Sequence, residues 1–486
     1  MTPRWGGVER LDIHTQRVPT GVGGAFMGDS RHELAAAQPS RRSVLGGVAA
    51  FALARSVSGG AVAQARQRPP NILFILADDL GYADLSCYGR RDYKTRVLDG
   101  LAADGMLLTQ GYSNSAVCSP TRVALITGRY HQRLSVGLPE PITGTEVGLG
   151  LPPGHPTLPG MLKAAGYRTS LVGKWHMGWP PEHGPLNSGY DSFFGIAPGA
   201  ADHFTHTFGR VRQNVLFEGE TRVEREGYLT DLLAERAVTE IRQSARGNQP
   251  FFLSLHFTAP HWPWQGPRDR RSSVGIPNLR HEDGGSLETY AEMMLSMDGA
   301  IDRVLRELDQ RGMTKDTIVV FTSDNGGERF SDVWPLRGGK GELLEGGIRV
   351  PLIVRWPERI RAGSRSQQVM TSMDWLPTLA AAAGASTDKS APPDGLNLLD
   401  VITGRAAPQP RKLFWRFQAA DQAAVRDGDW KYLRIGEQEF LYDVVRDPRE
   451  RANLRDRQGS ILQRLRADHI AWNASMLPYP ASSTAD

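Results

Sequence analysis

The sequence predicts an α/β protein with a large, mostly parallel, doubly wound sheet and a smaller C-terminal antiparallel sheet followed by a helix. Runs of consecutive apolar residues, typical of strands buried on both faces, recur along the 486-residue chain. Segments with apolar residues at helical spacing lie between them, which favours parallel strands joined by helices. Beyond residue 384 the pattern changes to short, closely spaced strands, as in an antiparallel sheet.

The first buried strand is expected over residues 71–76, where Asn-Ile-Leu-Phe-Ile-Leu ends abruptly at two aspartates. Similar runs predict strands over 169–172, 251–257, 317–322 and 350–354. Apolar residues at helical spacing predict helices over 157–165, 229–242 and 288–310.

The C-terminal part is expected to form a separate subdomain. A polar, proline-rich stretch at 386–393 is a plausible boundary. Strands are predicted over 412–417, 424–426, 430–433 and 440–442, and a final helix over 461–472. The predicted organisation is a leader over 1–65, a catalytic domain over 66–385 and a C-terminal subdomain over 386–486.

The leader has the features of a twin-arginine export signal. Arg41-Arg42 precedes a mild apolar stretch over 46–54, and small residues over 61–65 offer cleavage sites. The apolar stretch is shorter than the roughly 20 residues that span a bilayer. We therefore expect an exported protein, periplasmic or extracellular, with no transmembrane anchor in the mature form. The alternative is a disordered basic tail with a chance arginine pair, and Met27 is an alternative start.

Charge and cysteine content narrow the class of protein. The formal net charge is +4; seven Arg and four acidic residues give the leader +3, so the rest of the chain carries about +1. With no basic cluster interleaved with aromatics, no nucleic-acid partner is expected.

Export would permit a disulfide between the two cysteines. If Cys118 is modified, Cys87 has no partner, and we expect a buried structural thiol there.

Polar side chains follow four of the predicted strands. Asp78-Asp79, Lys174 with His176, His261, and Asp324-Asn325 come just after them. Ligands of open α/β sheets bind beyond the carboxyl ends of the strands, so we expect these groups at one edge. Carboxylate and amide oxygens suit Ca²⁺ or Mg²⁺. Taken singly, each aspartate is better explained by a turn or a helix cap, but two paired motifs after two strands favour a metal site.

The run Cys118-Ser119-Pro120-Thr121-Arg122 is the most specific motif, and Thr127-Gly128 follows it. Proline suits the first turn of a helix, where its missing N–H costs nothing. Residue 118 would then lie where free N–H groups and the helix dipole favour an anion. A lone cysteine packed as a small apolar residue is the alternative.

This run resembles the signature of type I sulfatases, in the alkaline-phosphatase-like superfamily. In that family the cysteine is oxidised to Cα-formylglycine, whose hydrate attacks sulfur with one hydroxyl and later uses the other to expel sulfate. Further segments resemble the family in the same order: 77–81, 173–178, 259–261, 323–326, 336–341, 345–351 and parts of 441–454. The family more often has Thr-Pro-Asn where this chain has Thr95-Arg96-Val97.

The resemblance implies a role for each site residue. It makes Asp78, Asp79, Asp324, Asn325 and the group derived from Cys118 the metal ligands, with Ca²⁺ the usual ion and Mg²⁺ an alternative. It implies that Arg122 anchors the diol, that Lys174 binds sulfate, and that His176 takes a proton from the second hydroxyl. His261 and Lys340 would lie near the ester oxygen and contact substrate, with His261 as general acid.

Aromatic residues near these positions are candidates for substrate stacking. Trp262, Trp264 and Phe204 are suited to stack on a sugar or aryl ring, or equally to pack in the core. His203 and His206 are weaker candidates for the pocket lining. Other histidines, such as His131, are expected to be structural.

We therefore expect an enzyme that hydrolyses a sulfated small molecule or glycan to an alcohol and sulfate. Its implied partners are a formylglycine-generating maturation enzyme and the twin-arginine export machinery. One alternative is a phosphonate monoester or phosphodiester hydrolase that uses the same site. Another is an inactive protein that binds sulfated glycans, although pure binding would not need an intact nucleophile motif.

Overall fold

The computed structural model describes residues 68–480 apart from 144–147, 210–211, 272–275, 277–280 and 282–283. The predicted leader therefore lies outside the described residues. The strands are β1 Asn71–Ala77, β2 Met106–Tyr112, β3 Arg168–Gly173, β4 Ser192–Ile196, β5 Thr207–Phe208, β6 Gln213–Asn214, β7 Leu216–Glu218, β8 Thr221–Arg222, β9 Phe251–His256, β10 Thr317–Ser323, β11 Arg349–Arg355, β12 Ser364–Ser366, β13 Met370–Thr371, β14 Lys412–Phe417, β15 Gln422–Asp427, β16 Trp430–Ile435 and β17 Gln438–Asp443.

The α-helices are α1 Arg96–Ala103, α2 Cys118–Thr127, α3 Leu158–Ala164, α4 Leu229–Ser244, α5 Leu287–Gln310, α6 Glu345–Ile348, α7 Trp375–Ala383, α8 Leu399–Ile402 and α9 Gly459–Ala474. Within the described residues, no helix is long and apolar enough to cross a membrane.

The main sheet is mixed but mostly parallel at its centre. Its strand order is β12-β2-β11-β10-β1-β9-β3-β4-β7-β8, with β13 also paired to β2. Strand β1 pairs in parallel with both β10 and β9, and β9 pairs in parallel with β3. Strand β11 runs antiparallel to both β10 and β2, so β2 points in the same direction as β1. These five strands, together with β4, which is parallel to β3, thus point to the same edge, and β11 begins there.

Both faces of this sheet are covered, which explains the continuous apolar runs in the sequence. In β1, Leu73 and Ile75 pack into one hydrophobic cluster while Phe74 and Leu76 pack into the other. Helices α1, α4 and α5 cover the first face, and α2, α3 and α7 cover the second. The predicted doubly wound arrangement is confirmed.

The C-terminal sheet is antiparallel in the order β14-β15-β16-β17, as predicted. One of its faces packs on α9 through Val425, Tyr432 and Leu465. The other face packs Leu413 and Trp415 against the residues that surround the start of α2. This small sheet therefore lies directly behind the segment that carries Cys118.

The predicted strands and long helices are found within about two residues of the expected positions, with β15 and β17 longer than predicted at both ends. The sequence analysis missed β2, β4 to β8, β12 and β13, together with α1, α6, α7 and α8. The segment 95–99, which departs from the family pattern, starts α1. Cys87 was expected to be buried but is half-buried, since it lies in a surface turn whose backbone N–H donates to Asp99.

Candidate active site

The carboxyl edge of the main sheet gathers the predicted site residues from six segments. Asp78 and Asp79 follow β1, and Asp324 and Asn325 follow β10, with Ala77 paired to Ser323 in register. Strand β3 delivers Lys174 and His176, and β9 leads to His261. Because β11 runs antiparallel, its preceding loop brings Lys340 to the same edge. Parallel pairing thus turns distant sequence positions into one cluster.

Cys118 is the first residue of α2 and is 2% exposed. The turn before it is fixed by Thr121, whose hydroxyl accepts from the Ser115 N–H (3.0 Å) and donates to its carbonyl (3.2 Å). Gly128 ends the helix in the left-handed region at φ 68°. The first-turn N–H groups have no partner within the helix, and Cys118, at this end of it, lines the cavity.

Three buried carboxylates pair with three cations in this cluster. Lys174 Nζ donates to Asp78 Oδ2 at 2.6 Å, and Lys340 Nζ donates to Asp79 Oδ2 at 2.7 Å. In the third pair, Arg122 donates through Nε and Nη2 to Asp324 Oδ2 at 3.1 and 2.8 Å. We call these six residues the cavity cluster.

Two oxygens of the site lack a hydrogen-bond partner although they are buried. These are Asp78 Oδ1, which lies 3.8 Å from Arg122 Nη2, and Asn325 Oδ1. The Asn325 amide is oriented by its Nδ2, which donates to Asp79 Oδ1 and the Gly326 carbonyl, both at 2.8 Å. Unpartnered buried acceptors are costly, and a cation would satisfy both.

The donor set fits a hard divalent cation. Ligand atoms of Asp78, Cys118 and Asp324 lie within 4.8 Å of one another, as do those of Asp78, Asp79 and His261. Oxygen atoms predominate among them, which favours Ca²⁺ or Mg²⁺ over softer metals. The structure thus contains a possible divalent metal site at Asp78, Asp79 and Asp324.

The electrostatic environment reflects this crowding of charge. Burial, followed by the neighbouring Asp324, raises the pKa of Asp78 well above its usual range. Burial also raises the pKa of the Cys118 thiol. Burial tends to lower the pKa of Lys340, but Asp79 outweighs it and the net shift is upward. Lys340 therefore remains a cation.

The two site histidines present different nitrogens. His176 Nε2 lies 2.9 Å from the Ile142 carbonyl, which can only accept, so Nε2 carries the proton and the buried Nδ1 is a free acceptor. His261 Nδ1 lies 2.6 Å from the Trp262 carbonyl and is protonated by the same argument. His261 Nε2 lies 3.5 Å from Asp79 Oδ2. Burial, then nearby lysines, lowers both pKa values.

A cavity of about 580 Å³ opens onto Cys118. Within the described part of the chain it is lined by Cys118, Pro141, Ile142, Thr143, His176, Gly199, Ala200, Phe208, His261, Trp262, Trp264, Glu328, Arg329 and Lys340. Trp262 and Trp264 thus line it, as one reading of the sequence expected.

Other predicted pocket residues lie elsewhere. Phe204 is not among the lining residues and its ring packs on Tyr228 at 5.2 Å. His203 stacks on the same tyrosine at 5.4 Å, and His206 is likewise not in the lining. The sequence analysis missed Glu328, although it directly follows the 323–327 segment, and missed Ile142, which acts through its backbone carbonyl.

Two family models match the chain. The sulfatase model matches residues 70–385, and the model described as N-sulphoglucosamine sulphohydrolase, C-terminal, matches residues 339–468. The first covers every residue of the cavity cluster. The second covers the loop of Lys340, the whole C-terminal sheet and the first part of α9.

Curated relatives and solved structures give the same result. N-acetylgalactosamine-6-sulfatase of Canis lupus familiaris is 34% identical over 72% of this chain and 69% of its own length. Arylsulfatase J of Mus musculus is 30% identical over 87% and 80%. The structure of Ps i-CgsB in complex with k-i-k-neocarrahexaose has a TM-score of 0.76 at 29% identity, and covers 86% of this chain and 95% of that one. The chain belongs to the sulfatase family, whose members hydrolyse sulfate esters.

Proposed function

We propose that the cavity cluster hydrolyses the sulfate monoester of a carbohydrate, with a nucleophile derived from Cys118. The observation that carries this proposal is the position of Cys118. It starts a helix, faces a cavity, and has a ligand atom within 4.8 Å of Asp78 and Asp324. Three lysine and arginine cations surround the same point, where a sulfate anion needs compensation.

Two groups that the family generally uses complete the site. Cys118 converted to formylglycine supplies an oxygen nucleophile once hydrated. A divalent cation held by Asp78, Asp79, Asp324 and Asn325 supplies charge that polarises the sulfate. Ca²⁺ is the ion we propose, because the ligands are hard oxygens and both unpartnered oxygens belong to this set.

Charged side chains around Cys118 bind and orient the ester. Lys174 Nζ lies on the Asp78 side of the site and is proposed to contact sulfate oxygens. Arg122 is fixed by Asp324 and by a 3.0 Å bond from Nη1 to the Lys174 carbonyl, and it is proposed to anchor the group derived from Cys118, its electrostatic neighbour. Such fixed donors stabilise developing charge without rearranging.

His261 and Lys340 are proposed to act on the leaving oxygen. Both reach Asp79 Oδ2, at 3.5 and 2.7 Å, so they lie on one side of the cavity. His261 would donate a proton from Nε2, while Lys340 compensates charge. The negative charge of a bound sulfate ester opposes the effect of burial and raises the pKa of His261, so its protonation is coupled to substrate binding.

His176 is proposed to take a proton near residue 118. Its Nε2–H is engaged by the Ile142 carbonyl at 2.9 Å, which leaves the buried Nδ1 lone pair as the only free acceptor of the ring. A base with this fixed tautomer can remove a hydroxyl proton and so drive release of sulfate.

The carbohydrate assignment draws on the cavity walls and on the relatives. Trp262 and Trp264 offer aromatic faces in a cavity large enough for one sugar residue. N-acetylgalactosamine-6-sulfatase is named for a sugar sulfate, and the Ps i-CgsB structure contains a neocarrahexaose.

Initial rates on three esters test this proposal. We expect the protein to hydrolyse 4-nitrophenyl sulfate and a monosaccharide sulfate, with sulfate released in equal amount to the alcohol. A phenyl phosphonate monoester is the comparator, since it suits the alternative hydrolase. Faster turnover of the phosphonate than of both sulfates would contradict the proposal, as would sulfate binding with no turnover.

We also propose that residues 1–65 direct export and that residues 66–385 and 386–486 are the catalytic domain and the C-terminal subdomain. The order of arginine pair, apolar stretch and small residues supports export. Replacing Arg41-Arg42 by two lysines in a bacterial host should retain the protein in the cytoplasm. Unchanged export of that variant would contradict a twin-arginine route.

A further inference from the structure

One acidic side chain in the cavity has no part in the proposed chemistry. Glu328 lines the cavity with Cys118, His261 and Lys340, and its side chain is 38% exposed. Its Oε2 is nevertheless buried and has no hydrogen-bond partner. A carboxylate in the wall of a pocket for an anion opposes binding unless it contacts a hydrogen-bond donor of the ligand.

The backbone holds the Glu328 carboxylate beside Lys340, which is proposed to act on the leaving oxygen. The Lys340 N–H donates to the Gly327 carbonyl at 3.0 Å, which joins the loops of Glu328 and Lys340. A Cβ on Gly327 would lie 1.7 Å from Ser331 Oγ, so only glycine permits this turn. Glu328 Oε2 consequently lies 3.7 Å from Lys340 Nζ, beyond hydrogen-bond distance.

Lys340 does not supply the hydrogen bond that Glu328 Oε2 lacks. Its ammonium already donates to Asp79 Oδ2 at 2.7 Å, and the 3.7 Å separation leaves Glu328 Oε2 without a bond. Another charged neighbour, Asp79, adds to burial in raising the pKa of Glu328 and offers no hydrogen-bond donor of its own when ionised. A ligand donor next to the atom that Lys340 contacts would supply the hydrogen bond that Glu328 Oε2 lacks.

We propose that Glu328 is a specificity-determining residue that accepts a hydrogen bond from a hydroxyl on the carbon next to the sulfated carbon. Neighbouring oxygens on a sugar ring are separated by about one hydrogen-bond length. When Lys340 contacts the ester oxygen, the adjacent hydroxyl therefore reaches Glu328. The substrate class is a glycoside sulfate with a free hydroxyl beside the ester. This inference rests on the proposed sulfate-ester hydrolysis.

Two matched aryl esters test the inference. In 2-hydroxyphenyl sulfate a hydroxyl donor lies beside the ester, whereas 2-methoxyphenyl sulfate presents only an acceptor there, and the two phenols are similar leaving groups. We expect the wild type to favour the hydroxyl ester in kcat/KM by about 10- to 100-fold, as for a hydrogen bond to a charged acceptor. In Glu328→Ala the ratio should fall to within about threefold.

A second variant and a control variant separate recognition from damage to the site. Glu328→Gln keeps an acceptor and adds a donor, so the ratio should be intermediate, with the methoxy ester improved. Glu342 is exposed, accepts from the Gly339 N–H at 2.9 Å and is not among the lining residues. Glu342→Ala should leave the ratio unchanged. Because both esters are measured on each enzyme, a general loss of activity cancels in the ratio.

Turnover of 4-nitrophenyl sulfate shows whether a negative result contradicts only the role of Glu328 or the proposed function as well. If the wild type hydrolyses it but shows no preference between the two esters, or if Glu328→Ala keeps the wild-type ratio, the inference is wrong and the proposed function stands. If the wild type hydrolyses none of the three esters, the proposed function and the inference are both overturned.

Discussion

Two buried charge clusters lie at opposite ends of one short loop, and they differ in whether they border the cavity. The cavity cluster contacts this loop through Lys340. At the other end, Glu345 joins Glu450 and Lys431, a group that we call the clamp, and all three are fully buried. Both clusters contain carboxylates and cations at hydrogen-bond distance.

In the clamp three of the four carboxylate oxygens accept a hydrogen bond, and the fourth, Glu450 Oε1, lies against the Lys431 ammonium without forming one. Lys431 Nζ lies 3.0 Å from Glu345 Oε1 and 2.9 Å from Glu450 Oε1. Tyr112 donates to Glu345 Oε2 at 2.5 Å, and the Glu345 N–H donates to Glu450 Oε2 at 2.7 Å. The clamp thereby joins the C-terminal sheet to the loop of Lys340.

In the cavity cluster and its neighbour Asn325, the unpartnered oxygens are Asp78 Oδ1 and Asn325 Oδ1, and both belong to proposed metal ligands. Burial, charge density and unpartnered acceptors therefore occur in both clusters, and what distinguishes the functional one is its position beside the cavity that Cys118 and Lys340 line. We expect the cavity cluster to determine activity and the clamp to determine stability.

The largest expected effect is loss of the nucleophile. Cys118→Ala should lower sulfate-ester turnover by about 10⁴-fold or more, since catalysis then lacks its attacking group. The small side chain starts a helix and makes no structural bond among those described, so the apparent Tm should change little. Cys87→Ala is the matched control and should keep wild-type activity. Near-wild-type activity of Cys118→Ala would remove residue 118 from the mechanism.

Removal of the metal should have the second largest effect on turnover. EDTA should lower turnover by about 10³-fold, and Ca²⁺ should restore it. Ca²⁺ should also raise the apparent Tm, because an ion that binds only the folded state stabilises it. This Tm rise should disappear in Asn325→Ala and persist in Lys431→Met. Restoration by Zn²⁺ alone would contradict a site of hard oxygen ligands.

For Lys431→Met, in the clamp, we expect a large loss of stability and only a small loss of activity. Removing the only lysine between two buried carboxylates should cost about 3–5 kcal/mol of stability. The specific activity of the folded protein should fall by less than about tenfold, because no clamp residue lines the cavity. Lys412→Met, which breaks a partly exposed pair with Asp468, is the control and should cost less than about 1 kcal/mol. Complete loss of activity of Lys431→Met at unchanged Tm would contradict the assignment of the clamp to stability.

The smallest effect concerns pH. Burial, followed by the charge of Glu345, raises the pKa of Glu450 to about 7. The folded state then holds a proton that the unfolded chain has released, so Glu450 lowers stability as the pH rises through that value. Glu450→Gln lacks this dependence, and its Tm relative to wild type should rise between about pH 5 and pH 8.

Glu439→Gln is the control for this measurement. The pKa of Glu439 is lowered: burial opposes the shift, but Arg466 outweighs it. That carboxyl is therefore ionised in both states over the same pH range, and the Tm difference should stay constant. A Tm difference between Glu450→Gln and wild type that is equally constant would contradict the raised pKa.

Much of the fold and of the cavity cluster followed from local sequence patterns. The buried strands β1, β9 and β10 are apolar on both faces and end in charged residues, so both their bounds and their common edge were predictable. The antiparallel direction of β11 was not, because strand direction depends on how distant segments pair. Strand β2 contains Thr109, Gln110 and Gly111, which hide its pattern.

Within the site, side chains with a distinctive motif were predicted and the remaining contacts were not. The Ile142 carbonyl that fixes His176 has no residue-type signal, since any residue supplies a carbonyl. Phe204 was a candidate for substrate stacking and instead packs on Tyr228, because an aromatic ring is equally suited to either environment. Glu328 is recognised only when its neighbours in space are known.

The mass of the peptide that contains residue 118 tests the central claim most directly. Protein produced together with a formylglycine-generating enzyme should show this residue with one oxygen in place of one sulfur and two hydrogens. The fraction of converted peptide should equal the fraction of active protein across preparations. Full sulfate-ester turnover by protein in which residue 118 is unmodified cysteine would contradict the account.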